Sequence, residues 1–227
     1  MLTSYLLILT VIVNIFLAVA IINKKHKKKS DIAYSLLTLS ISGWAITMFF
    51  YRNSGIDNLL AWSRLVYLSA GAVPFFFLLF SIYFNNNKKI PAWAYFLVGL
   101  PFAISSALTV ASRWIIKDVA IVDGTNSLIY GLGNYFYASY ILLYFSLGFG
   151  FLVKKTRESI GVIKAQLRLI IIGATITLVI GFVNNVIFTL LGDFRFNWIG
   201  PSSTLIMVCF IAYAITRYRL MDIKSFI

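Results

Sequence analysis

The sequence has little charge, one cysteine and one histidine, and each scarcity excludes a class of protein. Only 12% of its residues are charged, whereas soluble domains carry about 25%. The single cysteine, Cys209, excludes an intramolecular disulfide, and with one histidine, His26, it leaves no metal-ligand set. A nucleophile paired with a base and a phosphate-binding glycine loop are also missing. We therefore expect no catalysis, no metal and no other cofactor on this chain.

Apolar residues are abundant instead, at 60% of the 227 residues. Runs of about 20 such residues can cross a hydrocarbon core of about 30 Å as helices. Seven runs satisfy this length, at about 2–23, 31–51, 59–84, 90–111, 135–153, 169–191 and 197–216. The sequence therefore predicts an all-α membrane protein, in which residues 1–227 form one seven-transmembrane-helix bundle domain in the lipid bilayer.

Basic residues give the chain a net charge of +13, but they lie in short clusters between the apolar runs. This distribution does not favour nucleic-acid binding, which needs a basic face on a folded domain. Fifteen of the Lys and Arg residues fall in the segments 24–29, 88–89, 154–168 and 217–224, and four fall in the alternate loops. By the positive-inside rule, we expect the N-terminus outside and the C-terminus in the cytoplasm.

The outer segment between the fourth and fifth spans, residues 112–134, is long enough to hold structure of its own. Residues 119–122 and 127–130 favour strands, and Asp123-Gly124 between them is a turn dipeptide. A small outer β-hairpin fits this pattern. An irregular loop on the bundle mouth fits about equally well, because a lone hairpin is marginal in water.

Arg64 is the charged residue that lies inside a span, about five residues from its start. Since charge is costly in lipid, its guanidinium needs a partner or must extend to the outer interface. The possible partners are a helix C-terminus, lipid phosphate, an anionic ligand, or a loop carboxylate of Asp57, Asp123 or Asp193.

Other polar residues in the spans suggest a ligand pocket. Tyr67 follows Arg64 by one helical turn, and Tyr137, Tyr140 and Tyr144 share one face of the fifth span, where their hydroxyls would need partners. Helix packing, interhelical hydrogen bonds or an interfacial aromatic belt also account for such residues. We predict a shallow outward-facing pocket for an unknown small or lipophilic ligand, walled by Arg64, Tyr67, Tyr137, Asn184 and Asn185.

The last span continues past Pro201 without Gly or Pro through a basic end. A rigid helix that leaves the membrane on the cytoplasmic side can transmit a shift or rotation. The predicted output residues are Arg217, Tyr218, Arg219, Leu220 and Asp222.

Three local patterns resemble a known family. They are Trp62 with Arg64, the KxQxR element at Lys164, Gln166 and Arg168, and the sequence AYAITRYRLMDI at residues 212–223. Together with seven spans, they resemble the seven-helix N-terminal sensor region of bacterial membrane histidine kinases. The resemblance implies a signal-input module of two-component systems, usually a homodimer, that is followed on the same chain by a kinase or cyclase.

The sequence stops five residues after Asp222 without a kinase or cyclase motif. A stand-alone receptor and a truncated kinase both remain open, and a separate cytoplasmic signalling protein is the expected partner of the first. A small transporter or a structural membrane protein is the alternative function. A retinal protein would need a lysine in the last span for its Schiff base, and that span has none.

Overall fold

The computed structural model describes residues 2–23, 25–85, 91–122 and 124–224, and leaves the side chains of residues 92, 190 and 217–224 undescribed. Within these ranges the chain forms seven long helices, each apolar and long enough to cross a membrane. They are α1 (Leu2–Ile22), α2 (Lys29–Asn53), α3 (Ile56–Tyr83), α4 (Ala92–Ala111), α5 (Gly133–Glu158), α6 (Gly161–Phe182) and α7 (Ile199–Lys224). The predicted all-α seven-helix bundle is confirmed.

The helical backbone continues beyond the end of α6. A π-helical turn, Val183–Ile187, follows it, and a last α-helical turn, Phe188–Leu190, follows that. Both asparagines of the predicted pocket, Asn184 and Asn185, lie on the π-helical turn. Such turns are rare and are frequently found at functional positions.

A two-stranded antiparallel hairpin connects α4 to α5, where the sequence predicts one. Its strands, β1 (Ile116–Val122) and β2 (Thr125–Tyr130), begin before the predicted strands. Asp123 of the predicted turn lies outside the described residues, and Gly124 has a φ of +71°, a conformation that favours glycine. Because Ile115 and Ile116 are fully buried, the hairpin is stabilised by the bundle rather than by its own pairing.

The helices alternate between two ends of the bundle. The hairpin end contains the β-hairpin, the start of α1, residues 54–55 and residues 191–198; the basic end contains residues 25–28, residues 159–160 and the end of α7. Lys24, Lys88 and Lys89 of the predicted inner segments lie outside the described residues. The predicted orientation, with the hairpin end outside the cell, stays a prediction.

The main core lies where α2, α3, α6 and α7 meet, around the fully buried rings of Tyr34, Phe77 and Phe80. Helix α4 is the least buried of the seven spans, and large side chains such as Phe96 project from it. Within a membrane such helices associate through close packing and hydrogen bonds, since lipid is as apolar as the side chains.

The predicted basic loop at residues 154–168 is largely helical. Helix α5 continues to Glu158, and α6 begins at Gly161, eight residues before the predicted start of the sixth span. A hydropathy pattern ends where charge begins, but Lys, Arg, Gln and Glu are good helix formers and continue the helix beyond the lipid. Gly161, with a φ of +57°, lies at the sharp turn between the two helices.

Candidate functional site

Three tyrosines on one face of α5 hold it against its neighbours. The hydroxyl of Tyr137 donates to the carbonyl of Tyr67 at 2.7 Å, and that of Tyr140 donates to the carbonyl of Gly71 at 2.8 Å. The hydroxyl of Tyr144 donates to the carbonyl of Val98 on α4. The partners that these hydroxyls were expected to need are therefore backbone carbonyls, and this face of α5 is a packing surface.

Tyr67 and Tyr137 also meet through their rings, whose centroids lie 4.9 Å apart. The hydroxyl of Tyr67 donates to the hydroxyl of Tyr130 at 2.8 Å, so the hairpin covers this pair. Burial raises the pKa of Tyr130 to about 12. We call Tyr67, Tyr130 and Tyr137 the phenol cluster.

A second pair of contacts joins the hairpin to α2. The hydroxyl of Tyr51 donates to the carbonyl of Asn126 at 2.8 Å, and the side-chain amide of Asn126 donates back to the carbonyl of Tyr51 at 2.6 Å. Two reciprocal hydrogen bonds fix both the distance and the angle between the strand and the helix. The hairpin is thus fastened to α2 and α3 at once.

Arg64 binds a helix C-terminus, one of the partners that the sequence left open. Its Nη1 donates to the carbonyl of Val110 at 3.1 Å and its Nη2 to the carbonyl of Ser112 at 3.0 Å. These carbonyls end α4, where backbone acceptors have no helical partner and the helix dipole favours a cation. The buried Nε of Arg64 has no hydrogen-bond partner among the described atoms.

The asparagines bond to their own helix. The amide nitrogen of Asn184 donates to the carbonyl of Ile180 at 2.8 Å, and that of Asn185 donates to the carbonyl of Gly181 at 3.2 Å. Asn185 also lies against the start of α7, because a Cβ atom at Gly200 would come within 2.2 Å of its Nδ2. In the described contacts the asparagines belong to the α6–α7 side, whereas Arg64, Tyr67 and Tyr137 cluster on α3, α4 and α5.

Residues 191–198, which connect α6 to α7, complete the hairpin end. Nη1 of Arg52 donates to the carbonyl of Arg195 at 3.2 Å and to Oδ1 of Asn197 at 3.3 Å. Phe194 lies beside the ring of Tyr130, with centroids 6.4 Å apart. The Arg195 guanidinium hydrogen-bonds Asp193 and holds the pKa of that carboxyl below its usual range. Sequence reasoning missed Arg52; its position at the end of an outer span, opposite a polar outer loop, was the available signal.

The hairpin end can therefore contact a ligand mainly through hydrogen-bond donors and neutral phenols. Two guanidinium groups, of Arg52 and Arg64, flank the phenol cluster, and the carboxylate of Asp193 is paired with Arg195. Such a set suits an uncharged or anionic ligand with oxygen acceptors. Within the described part of the chain, no group of three His, Cys, Asp or Glu side chains could hold a metal ion.

A groove of about 170 Å³ lies elsewhere, between α1 and α2. Its lining consists of apolar side chains, among them Leu7, Val11, Ile46 and Phe49. It is separate from the predicted pocket and offers a ligand no polar side chain for orientation.

The output region can be described only in its backbone. Helix α7 continues to Lys224, but the side chains of Arg217, Tyr218, Arg219, Leu220 and Asp222 lie outside the described residues. Just before them, the amide nitrogen of Gln166 donates to the carbonyl of Ala214 at 3.0 Å. The central residue of the KxQxR element thus ties α6 to the last turn of α7 whose side chains are described.

Seven apolar helices, with a hairpin fastened across one end, define a multi-pass seven-helix membrane protein. The family model described as the N-terminal 7TM region of histidine kinase matches residues 6–224, and the chain belongs to this family. The resemblance drawn from Arg64, the KxQxR element and the exit sequence is confirmed. The matched region is the sensor part of such kinases and is not itself catalytic. No curated protein matches the chain.

Proposed function

We propose that the chain is a signal-input module that binds a small or lipophilic ligand at its hairpin end and signals through α7 to a cytoplasmic protein. Membership in a sensor-region family supports this function. The observation that carries it is the convergence of α2, α3, the hairpin and residues 191–198 on one set of polar contacts, through Tyr51, Tyr67 and Arg52. A ligand at this point would change contacts with several helices together.

The proposed ligand contacts remain Arg64, Tyr67, Tyr137, Asn184 and Asn185. Because the hydroxyl of Tyr67 donates to the hairpin, a ligand that accepts a hydrogen bond from it must replace Tyr130 as the acceptor. The hairpin then acts as a lid whose hydrogen bonds compete with those of the ligand. The donors at this end favour a ligand with hydroxyl, carbonyl or anionic oxygen groups.

The proposed output is the last turns of α7, at Arg217, Tyr218, Arg219, Leu220 and Asp222. In the predicted orientation this end is cytoplasmic, in the inner membrane, where the helix can contact a separate signalling protein. A homodimer is the proposed assembly, by analogy with sensor regions that feed kinases.

Ligand binding is tested with the purified protein in lipid nanodiscs, screened by thermal shift against a library of metabolites and free lipids. A compound that stabilises the protein should lose most of its shift in Arg64→Gln and in Asn184→Ala. Arg113→Gln is the matched control, because Arg113 is an exposed cation near the same end of the bundle. An unchanged shift in both site variants would place binding elsewhere.

Signalling is tested on the same compound with a spin label at Cys209, which is exposed on α7. A sensor should change the label's distance to a second label on α5 when the compound binds. Binding without such a change would contradict the signalling role. Flux of the compound into liposomes that contain the protein would instead support the alternative, a small transporter.

A further inference from the structure

Hydrogen bonds between elements divide the described bundle into two groups. The first contains α1 to α5 and the hairpin. Its members are joined by side chains that bond to a neighbouring element, namely Ser35, Thr47, Tyr51, Arg64, Tyr67, Tyr137, Tyr140, Tyr144 and Lys155. Helices α6 and α7 form the second group.

Helices α6 and α7 are joined to each other at several levels. Gln166 bonds to Ala214 near the basic end, and Thr177 bonds to α7 farther toward the hairpin end. Between these levels the backbones lie very close, since a Cβ atom at Gly173 would come within 2.5 Å of the Cβ of Phe210. Such contacts resist sliding of one helix along the other, because the side chains have no room to pass.

The contact of Thr177 with α7 is unusual. Its hydroxyl donates to the carbonyl of Ser203 at 3.0 Å and accepts from the backbone N–H of Met207 at 3.1 Å. Ser203 and Met207 are four residues apart, so they are the two partners of one backbone hydrogen bond in an α-helix. The hydroxyl of one α6 side chain therefore hydrogen-bonds to both partners of a single backbone hydrogen bond of α7. This geometry fixes both the height and the rotation of α7 relative to α6.

Among the described residues, the hydrogen bonds between the two groups are fewer, and apolar side chains of the main core also pack between them. In the core of the bundle the hydroxyl of Tyr34 on α2 donates to the carbonyl of Val208 at 3.0 Å. At the hairpin end Arg52 bonds to residues of the α6–α7 connection. Each of these hydrogen bonds comes from a single side chain, and its acceptor is a backbone carbonyl or, for Asn197, a side-chain oxygen.

We propose that α6 and α7 move as one unit relative to α1 to α5. The hydrogen bonds of the Thr177 hydroxyl fix the register of α6 and α7. The Tyr34–Val208 hydrogen bond connects this helix pair to the rest of the bundle. The moving element is then a helix pair rather than α7 alone. This inference goes beyond the proposed function, because it concerns a division that exists whether or not a ligand binds.

Dipolar EPR on the full chain in lipid nanodiscs, without ligand, measures the two motions separately. Cys209 is exposed on α7 and is the only cysteine of the sequence, so it provides one label without substitution. A second cysteine at Ile172, which is exposed on α6, reports the distance within the pair. A second cysteine at Leu143, which is exposed on α5, reports the distance between the groups. We expect a narrower distance distribution within the pair than between the groups.

Variants distinguish the role of the Thr177 hydroxyl from that of the Tyr34–Val208 hydrogen bond. Thr177→Val keeps the shape of the side chain but removes its hydroxyl, and should broaden the α6–α7 distribution; Thr177→Ser should restore it. Tyr34→Phe should broaden the α5–α7 distribution and leave the pair unchanged. Thr204→Val is the matched control, because the buried hydroxyl of Thr204 bonds to Pro201 within α7.

Three results would overturn the proposal: equally broad distributions in the unsubstituted protein, an unchanged α6–α7 distribution in Thr177→Val, or equal broadening of both distances in Tyr34→Phe. Circular dichroism and gel filtration confirm folding of each variant. Should Thr177→Val fail to fold, Tyr34→Phe and the unsubstituted protein still decide the outcome. Failure of a ligand to bind would leave these distances unaffected, so the proposed function and this inference can fail separately.

Discussion

Tyr67 and Tyr130 join helix α3 to the hairpin through their hydroxyls, which lie 2.8 Å apart, with ring centroids 6.1 Å apart. The same helix carries Arg64 one turn before Tyr67, and Arg64 holds the end of α4, from which the hairpin begins. Both ends of the segment 112–130 are thus tied to neighbouring positions on α3. A displacement of the hairpin must therefore strain or break contacts with this helix.

Removing the Tyr67 hydroxyl should loosen the hairpin. Tyr67→Phe leaves the phenol of Tyr130 without its described donor, which costs about 1 kcal/mol of unfolding free energy. We expect faster amide hydrogen exchange in β2, measured by mass spectrometry. Tyr135→Phe is the control, because Tyr135 is 75% exposed and should exchange like the unsubstituted protein. Equal exchange in all three proteins would contradict the fastening of the hairpin by Tyr67.

The glycine at the end of the hairpin should tolerate no side chain. A Cβ atom at Gly131 would lie 2.1 Å from the carbonyl oxygen of Trp114, a backbone atom that cannot rotate away. Gly131→Ala should therefore lower the thermal unfolding temperature by several degrees. Gly99→Ala, on α4 with open space around it, should match or exceed the unsubstituted protein, since alanine favours helix. A stable Gly131→Ala variant would show that the approach of β2 to Trp114 is not required.

Lys155 should be more important for stability than the adjacent Lys154. Its Nζ donates to the carbonyls of Ser81, Ile82 and Phe84 at 2.6 to 2.8 Å, and so caps the end of α3. Charged hydrogen bonds of this kind contribute about 2 kcal/mol, and Lys155→Met should reduce the unfolding free energy by about this amount. Denaturant titration in detergent measures the change.

Lys154→Met is the matched control for this prediction. The side chain of Lys154 is 73% exposed, and its Nζ lies 4.0 Å from Oε1 of Glu158, an exposed ion pair that contributes little. We expect a change below about 0.5 kcal/mol. Similar losses in the two variants would mean that the cap on α3 contributes no more than a surface charge.

The predicted orientation can be tested by thiol labelling in a Cys209→Ala background. A cysteine at Lys27, at the basic end, should react with an impermeant reagent only after cells are permeabilised. A cysteine at Ser54 or Asp118, at the hairpin end, should react in intact cells. The reversed pattern would invert the bundle in the membrane and move the proposed ligand site to the cytoplasmic side.

Local patterns predicted much of the fold because a helix that crosses a membrane needs a long run of apolar residues. Seven apolar runs gave seven helices, and a turn dipeptide between β-prone residues gave the hairpin. The helix ends did not follow from hydropathy, as at Gly161, because hydropathy reports the membrane and not the helix. The tyrosine face of α5 was correctly expected to need partners, but their identity depended on which neighbour it faced.

By itself, the sequence determined the class of protein, the number of helices and the family. Tertiary structure alone decided that Arg64 caps α4, that Tyr130 covers Tyr67, and that Thr177 hydrogen-bonds to the backbone of α7. The physical reason is the range of the interactions. Burial in lipid acts on each run of residues separately, whereas a hydrogen bond between helices depends on the relative height and rotation of two segments that are distant in the chain.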